Sequence, residues 1–257
     1  MADGRVGYER RGATAVITFD RPEARNAMTW TMYDQLYEAC ERLDGDDARV
    51  AVLRGAGGRA FVAGTDIRQF ADFSGGDDGL AYERRMDGII ARLESARVPT
   101  VAVVEGYAVG GGLAIAAVCD LRVCTPDARF GIPIARTLGN CVSMATCARL
   151  VAVLGLARVK RLLLLADFLD AEEARAAGFV SEVVAPGELD ERVDGLCERL
   201  ADNSPVSMRV TKEALHRLTL DGLAAGDDLV RECYGSRDFH EGVAAFSDKR
   251  RPVWRGR

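Results

Sequence analysis

The sequence predicts an α/β fold whose core is followed by a helical C-terminal part, and three observations carry that prediction. Over the first two-thirds of the 257 residues, short apolar β-branched runs alternate with stretches of helical period. The densest run, Val101 to Val104, leads within a few residues to Gly110-Gly111-Gly112, which open an apolar helix reaching Val118. The last third carries helix signals almost throughout.

Taken in order, Ala15 to Phe19 reads as a strand ended by the turn residues Asp20-Arg21-Pro22. Thr29 is placed to cap a helix to about Leu43, with Met32, Leu36, Ala39, Cys40 and Leu43 as its apolar stripe. Val50 to Leu53 is a second buried strand, followed by the turn Gly55-Ala56-Gly57-Gly58. Phe61 to Gly64 leads to a polar corner at Thr65 and Asp66. Ser74 to Gly79 reads as a flexible loop, and the helix after it carries Ile89, Ile90 and Leu93. Leu121 to Cys124 is a further strand. Asp170 and Glu173 have capping-box spacing, and Gly178 stops that helix before the apolar run Phe179 to Val184. Ser204-Pro205 opens a helix carrying Val206, Val210, Leu215 and Leu218.

Composition narrows the function. Hydrophobic residues at 48% and charged residues at 28% suit a globular enzyme. No apolar run reaches the roughly 18 residues of a membrane helix, and the first residues lack the apolar stretch of a secretory signal. The seven cysteines form no C-x-x-C pair, which argues against a zinc site or disulfide framework and for reduced thiols in a cytoplasm. A net charge of −5 argues against nucleic acid as the main partner.

The triple glycine carries the chemistry. Glycine lets the backbone approach a ligand closely, and the first amides of a helix lack carbonyl partners at the positive end of its dipole. Such a turn binds negative charge through main chain alone, whether phosphate or an oxyanion formed during a reaction. A dinucleotide fingerprint fails, because Ile115 stands where its last glycine belongs. A P-loop fails as well, since no lysine lies nearby. The plainer reading is that the glycines allow tight strand–helix packing.

Several ordered motifs then point one way. They are Phe19-Asp20-Arg21-Pro22 with Asn26-Ala27-Met28, Phe61 to Ile67, Pro99 to Ala108, Gly110 to Gly112, Cys119-Asp120 and Phe130-Gly131-Ile132-Pro133. They continue with Ala174 to Gly178, Ser204-Pro205, Thr211 to Leu215 and Phe246 to Arg257. Almost end to end, the chain resembles the crotonase (enoyl-CoA hydratase/isomerase) superfamily. The resemblance implies a β-β-α spiral core over residues 1–200 with the ligand site, and a helical region over 201–257 for oligomerisation and active-site cover. It implies a homotrimer or homohexamer. It also implies a coenzyme A thioester as substrate, with no tightly bound cofactor and no metal.

By position in the resemblance, the amides of Ala63 and Gly111 form an oxyanion hole around the thioester carbonyl. The stretches Glu23 to Met28 and Ala63 to Arg68 line the CoA channel. Its expected residues are Arg25, Ala27, Ala63, Gly64, Thr65, Asp66, Ile67, Arg68, Gly110, Gly111, Ile134 and Arg136. Arg25 and Arg68 are candidate phosphate partners or solvated arginines. Asp66 and Asp120 read as turn residues, and His216 and His240 as surface or interface residues.

The chain departs from the family where hydratases keep two glutamates. It has Ala114 in one place and Ile134 (or Ala135, if the segment is one residue longer) in the other. None of these side chains can carry a proton. Nearby, Arg136 is a candidate partner for an acyl carboxylate. Asn140 either orients a water or substrate oxygen or caps a helix, and Cys141 is a nucleophile or a packing residue. The tail with Trp254 is either solvated or an anchor on CoA or a neighbouring subunit. The expected function is a family enzyme acting through a stabilised enolate. A decarboxylase or other lyase needing no strong base is one alternative, and a non-catalytic CoA-thioester binder is another.

Overall fold

The order in which the chain visits its two sheets fixes where the site lies. The computed structural model describes residues 3–220 and 227–253. It opens with a hairpin, β1 (Arg5–Arg11) antiparallel to β2 (Thr14–Asp20). Helix α1 (Trp30–Gly45) follows, and the Thr29 hydroxyl accepts the Met32 amide as its cap. Its buried face includes the five residues of the expected stripe, together with Tyr33.

Three units of strand, strand and helix come next. They are β3 (Val50–Gly55), β4 (Ala60–Val62) and α2 (Gly76–Glu94); β5 (Thr100–Val104), β6 (Tyr107–Val109) and α3 (Gly111–Val118); and β7 (Leu121–Cys124), β8 (Arg129–Gly131) and α4 (Ile134–Thr137). The chain continues through α5 (Met144–Leu154), α6 (Leu156–Leu164), β9 (Phe168–Asp170), α7 (Ala171–Ala176), β10 (Glu182–Val183) and α8 (Leu189–Ala201). Helices α9 (Pro205–Leu220), α10 (Asp227–Tyr234) and α11 (Arg237–Ser247) follow.

Each unit lays its first strand in one sheet and its second in another. The larger sheet has the order β1-β2-β3-β5-β7-β10 and the smaller β4-β6-β8-β9. Strands β2, β3, β5 and β7 run parallel, and all five residues of β5 are buried, as a strand covered on both faces requires. This is the β-β-α architecture expected of the chain.

The structure differs from the expected elements at several points. Strands β1, β6, β8 and β9 are additional; three of them are only three residues long, too short for a period-2 signal. Helix α2 starts at Gly76, inside the expected loop. The Asp78 carboxylate accepts the Ser74 and Gly75 amides at 2.7 and 3.1 Å and so nucleates its first turn. Within Phe179 to Val184 only Glu182–Val183 is strand. On α9, Val206, Val210 and Leu215 are exposed. The Leu218 side chain and Trp254 lie outside the described residues.

Candidate active site

A cavity of about 700 Å³ opens where β4 and β6 end, between the loop after β2, helix α2 and the end of α11. Its lining includes Arg25, Ala27, Ala63, Gly64, Thr65, Asp66, Ile67, Arg68, Gly110, Gly111, Ile134 and Asn140, which the sequence had assembled from four separate stretches. Arg136 is the exception. It lies exposed on α4 and is not part of the lining, so an acyl carboxylate in the cavity does not meet it. His216 faces Glu94 at 3.4 Å and His240 packs on Phe239; neither lines the cavity. Phe246, Ser247 and Lys249 contribute from the C-terminal helices.

The Asp-Arg-Pro and Asn-Ala-Met motifs fix the loop after β2. Asn26, fully buried and left-handed at φ +57°, accepts the Arg21 amide through Oδ1. Its Nδ2 donates to the carbonyls of Ala56 and Ala60 at 3.0 and 2.8 Å. Arg21, 1% exposed, donates to the Ala27 carbonyl and pairs with Asp66 at 2.9 Å. Asp66 also holds Arg68, whose Nε lies 2.9 Å from Oδ1. The Arg68 hydrogen bonds, and then those from its backbone and from Arg21, push the Asp66 carboxyl down to about 2 against its burial. Asp66 is therefore a fixed anion between two cations, and the trio keeps one excess positive charge at the channel mouth. Arg25 lies over the Tyr107 ring.

This loop clamps the segment after β4. The Met28 amide donates to the Gly64 carbonyl at 2.8 Å, and the Asp66 amide to the Met28 carbonyl at 2.9 Å. The Ala63 amide, expected to be an oxyanion donor, is committed to the Arg25 carbonyl at 3.1 Å. Gly64, at φ +101°, swivels the chain just beyond it. The Thr65 amide, between the two bonds to Met28, is turned away from that residue and has no acceptor among the described residues.

The triple glycine meets this segment. Gly110 turns at φ +55°, and the Gly111 amide begins α3, where no intrahelical acceptor exists. A Cβ on Gly111 would lie 2.5 Å from the Tyr33 hydroxyl, and one on Gly112 would run into the Val62 carbonyl. Close packing and an open cavity corner are thus both served, by adjacent glycines. The Thr65 hydroxyl bonds to those of Tyr33 and Tyr82, each at 2.8 Å. Burial, offset by the Thr65 hydrogen bond and reinforced by the charge of Glu83, pushes the Tyr33 phenol up to about 12.

Ala114 and Ile134, expected from the resemblance to stand where hydratases keep glutamates, both line the cavity and make its wall apolar there. A carboxylate enters from another direction. Glu83, on α2, lines the cavity and is 6% exposed. Its Oε1 accepts the Tyr234 hydroxyl at 2.7 Å and its Oε2 the Ser143 amide at 2.9 Å. Burial, opposed by the Tyr234 hydrogen bond, pushes its carboxyl up to about 7. Asn140 Nδ2 donates to the Tyr234 oxygen at 3.3 Å, while Asn140 Oδ1 is buried without a donor among the described residues. Cys141 also lines the cavity; a hydrogen bond with Cys233 and then burial push its thiol up, against thiolate formation. The sequence reading passed over Glu83, although it sits on the α2 stripe of Leu80, Met86 and Ile90, where a lone carboxylate is the signal.

Paired sheets that deliver two strand ends and a glycine-opened helix to one cavity define the crotonase class of fold. Comparison with known proteins agrees. A family model for enoyl-CoA hydratase/isomerase matches residues 9–257. The short-chain-enoyl-CoA hydratase of Clostridium acetobutylicum is 32% identical, over 96% of this chain and 95% of that protein. A solved enoyl-CoA hydratase/carnithine racemase from Magnetospirillum magneticum is 32% identical with a TM-score of 0.81, over 100% of this chain and 97% of that one. A methylmalonyl-CoA decarboxylase in complex with 2-nitronate-propionyl-CoA is 27% identical with a TM-score of 0.90, over 100% of both chains. The chain belongs to the enoyl-CoA hydratase/isomerase family of the crotonase superfamily, whose substrates are acyl-CoA thioesters.

Proposed function

We propose that this protein transforms an acyl-CoA thioester through an enolate whose oxygen is held by the amides of Thr65 and Gly111. The observation that carries the reading is the pair of unpartnered amides beside one another at the cavity corner. It moves the first donor two residues along from Ala63, whose hydrogen is already bound. Negative charge developing on a thioester oxygen meets both donors in a water-poor site, where one is worth about 2.7–4 kcal/mol in the transition state. Arg25, Arg68 and Lys249 at the mouth suit the CoA phosphates.

The apolar residues Ala114 and Ile134 remove the two-glutamate hydration mechanism. A decarboxylation or related lyase step is the second reading, favoured by those two residues and by the likeness to the decarboxylase fold. A cytoplasmic homotrimer or homohexamer remains part of the proposal, the oligomer supported by the exposed Leu164 and Leu165 at the end of α6 and Val206, Val210 and Leu215 on α9. Among the described residues, no helix is long and apolar enough to cross a membrane.

The test is a mass-spectrometric screen in deuterated water with enoyl-, β-hydroxyacyl-, saturated and malonyl-type CoA thioesters. Water addition, α-deuteration or carbon dioxide loss supports the enolate and names the reaction. Saturable binding with none of them would leave a CoA-thioester binder without chemistry.

A further inference from the structure

We propose that Glu83 is the proton-transfer residue of this site, exchanging a proton with the α-carbon of the bound thioester. This rests on the enolate reading and adds the acid–base group that Ala114 and Ile134 do not supply. Of the carboxylates lining the cavity, Asp66 is locked between Arg21 and Arg68 and Glu23 is exposed at the mouth. Glu83 alone among them is both buried and without a cationic partner among the described residues.

Its position is fixed at both oxygens. Tyr234 on α10 and the amide of Ser143, at the start of α5, hold Oε1 and Oε2. The titratable groups around it are Asp87 on its own helix, Tyr33 on α1, Tyr82 on α2, Cys141 before α5, Cys147 on α5 and Tyr234. None is a cation, and the nearby Arg149 is engaged by Asp87 and Glu94. The carboxyl therefore keeps or yields its proton near neutral pH, the condition for acting as base and acid in turn. Its charge also reaches the Tyr33 phenol, which stands against Gly111, so the carboxylate and the amide pair serve one corner.

In the step itself, the Glu83 carboxylate takes the α-proton. The C–H electron pair becomes the enolate double bond, and the carbonyl π pair moves onto the oxygen facing Thr65 and Gly111. Return of a proton from the carboxyl re-forms the C–H bond and the carbonyl. Where the enolate arises instead by loss of carbon dioxide, the protonated carboxyl delivers the proton and solvent replaces it.

The experiment follows the α-hydrogen of the screened thioesters in deuterated water. Glu83→Gln keeps the size; its oxygen can accept the Ser143 amide and its NH2 group can donate to the Tyr234 oxygen in place of the phenol's donation. It is expected to slow exchange or turnover about 100-fold or more, while calorimetry gives the wild-type Kd for the same thioester. The wild-type exchange rate should rise with pH through about 7. Tyr234→Phe removes a donor to the charged form and should move that inflection upward, a change that a merely structural contact would not produce. Wild-type exchange by the Gln variant, or an inflection that ignores Tyr234→Phe, would overturn the role of Glu83 and leave the enolate reading standing. A wild-type protein that binds the thioesters and exchanges none would overturn the enolate reading itself.

Discussion

The corner formed by Thr65 and Gly111 and the wall that carries Glu83 face one cavity but are made differently. The corner is main chain, set by the parallel pairing of β4 with β6 and by the Met28 clamp. Main-chain amides need no particular side chain, so the pairing of the strands sets the corner. The wall is side chain, joined across 151 residues by the Tyr234–Glu83 hydrogen bond and continued by Asn140. On the proposed function, the scaffold would stabilise charge, while the identity of the reaction would be left to groups that can be relocated without rebuilding the sheets.

Four experiments break or sharpen that contrast. The largest effect is expected at the clamp. Asp66→Asn removes the charge that pairs with the buried Arg21 at 2.9 Å, which should cost about 3–5 kcal/mol in urea unfolding. Because the Asp66 carboxyl is held at about 2, below its ordinary 3.8, its stabilisation is present above about pH 4 and is lost as pH falls through 2. A melting profile from pH 5 to 2 checks that sign. Next, Gly111→Pro removes the amide hydrogen and should lower kcat about 100–1000-fold. Gly111→Ala keeps the hydrogen but adds the Cβ that crowds Tyr33, so the difference between the two variants isolates the donor.

A smaller effect is expected from the wall. Glu83 holds its proton to about pH 7 in the folded protein and to about 4.5 in the ordinary case. The fold should therefore lose stability as pH rises through that window, and Glu83→Gln should flatten the profile and gain about 1–3 kcal/mol at pH 8. A variant no more stable than wild type at pH 8 would contradict the burial of an ionisable carboxyl. The smallest effect belongs to Arg68, whose side chain is 55% exposed. Arg68→Ala should raise KM for a CoA thioester by less than about fivefold and leave kcat unchanged.

The corner was legible in the sequence because its signals are local. Three glycines after a β-branched strand, the Thr29 cap and the Asn26 motif each act within a few residues. That the Ala63 amide is bound to Arg25 while the Thr65 amide has no acceptor among the described residues was not legible, since an extended chain gives residues 63 and 65 the same orientation and only the positive φ of Gly64 breaks that rule. Glu83 was masked by the charged run Glu83-Arg84-Arg85, which reads as a solvated face although α2 buries the first of the three. Strand β1 was obscured by its four charged residues, and α2 began earlier than its glycines suggested because Asp78 caps it. In each case a long-range partner or a single backbone angle decided the outcome.

Tyr234 packs so closely on α2 that a Cβ on Gly79 would collide with its Cγ, and Phe246 and Lys249 line the same cavity. During synthesis, then, the amide corner is in hand once the first half of the chain has left the ribosome. The Glu83 carboxyl lacks its phenol donor until Tyr234, near the end of the chain, emerges. The proposed carbonyl site is therefore complete in sequence long before the proposed proton-transfer site.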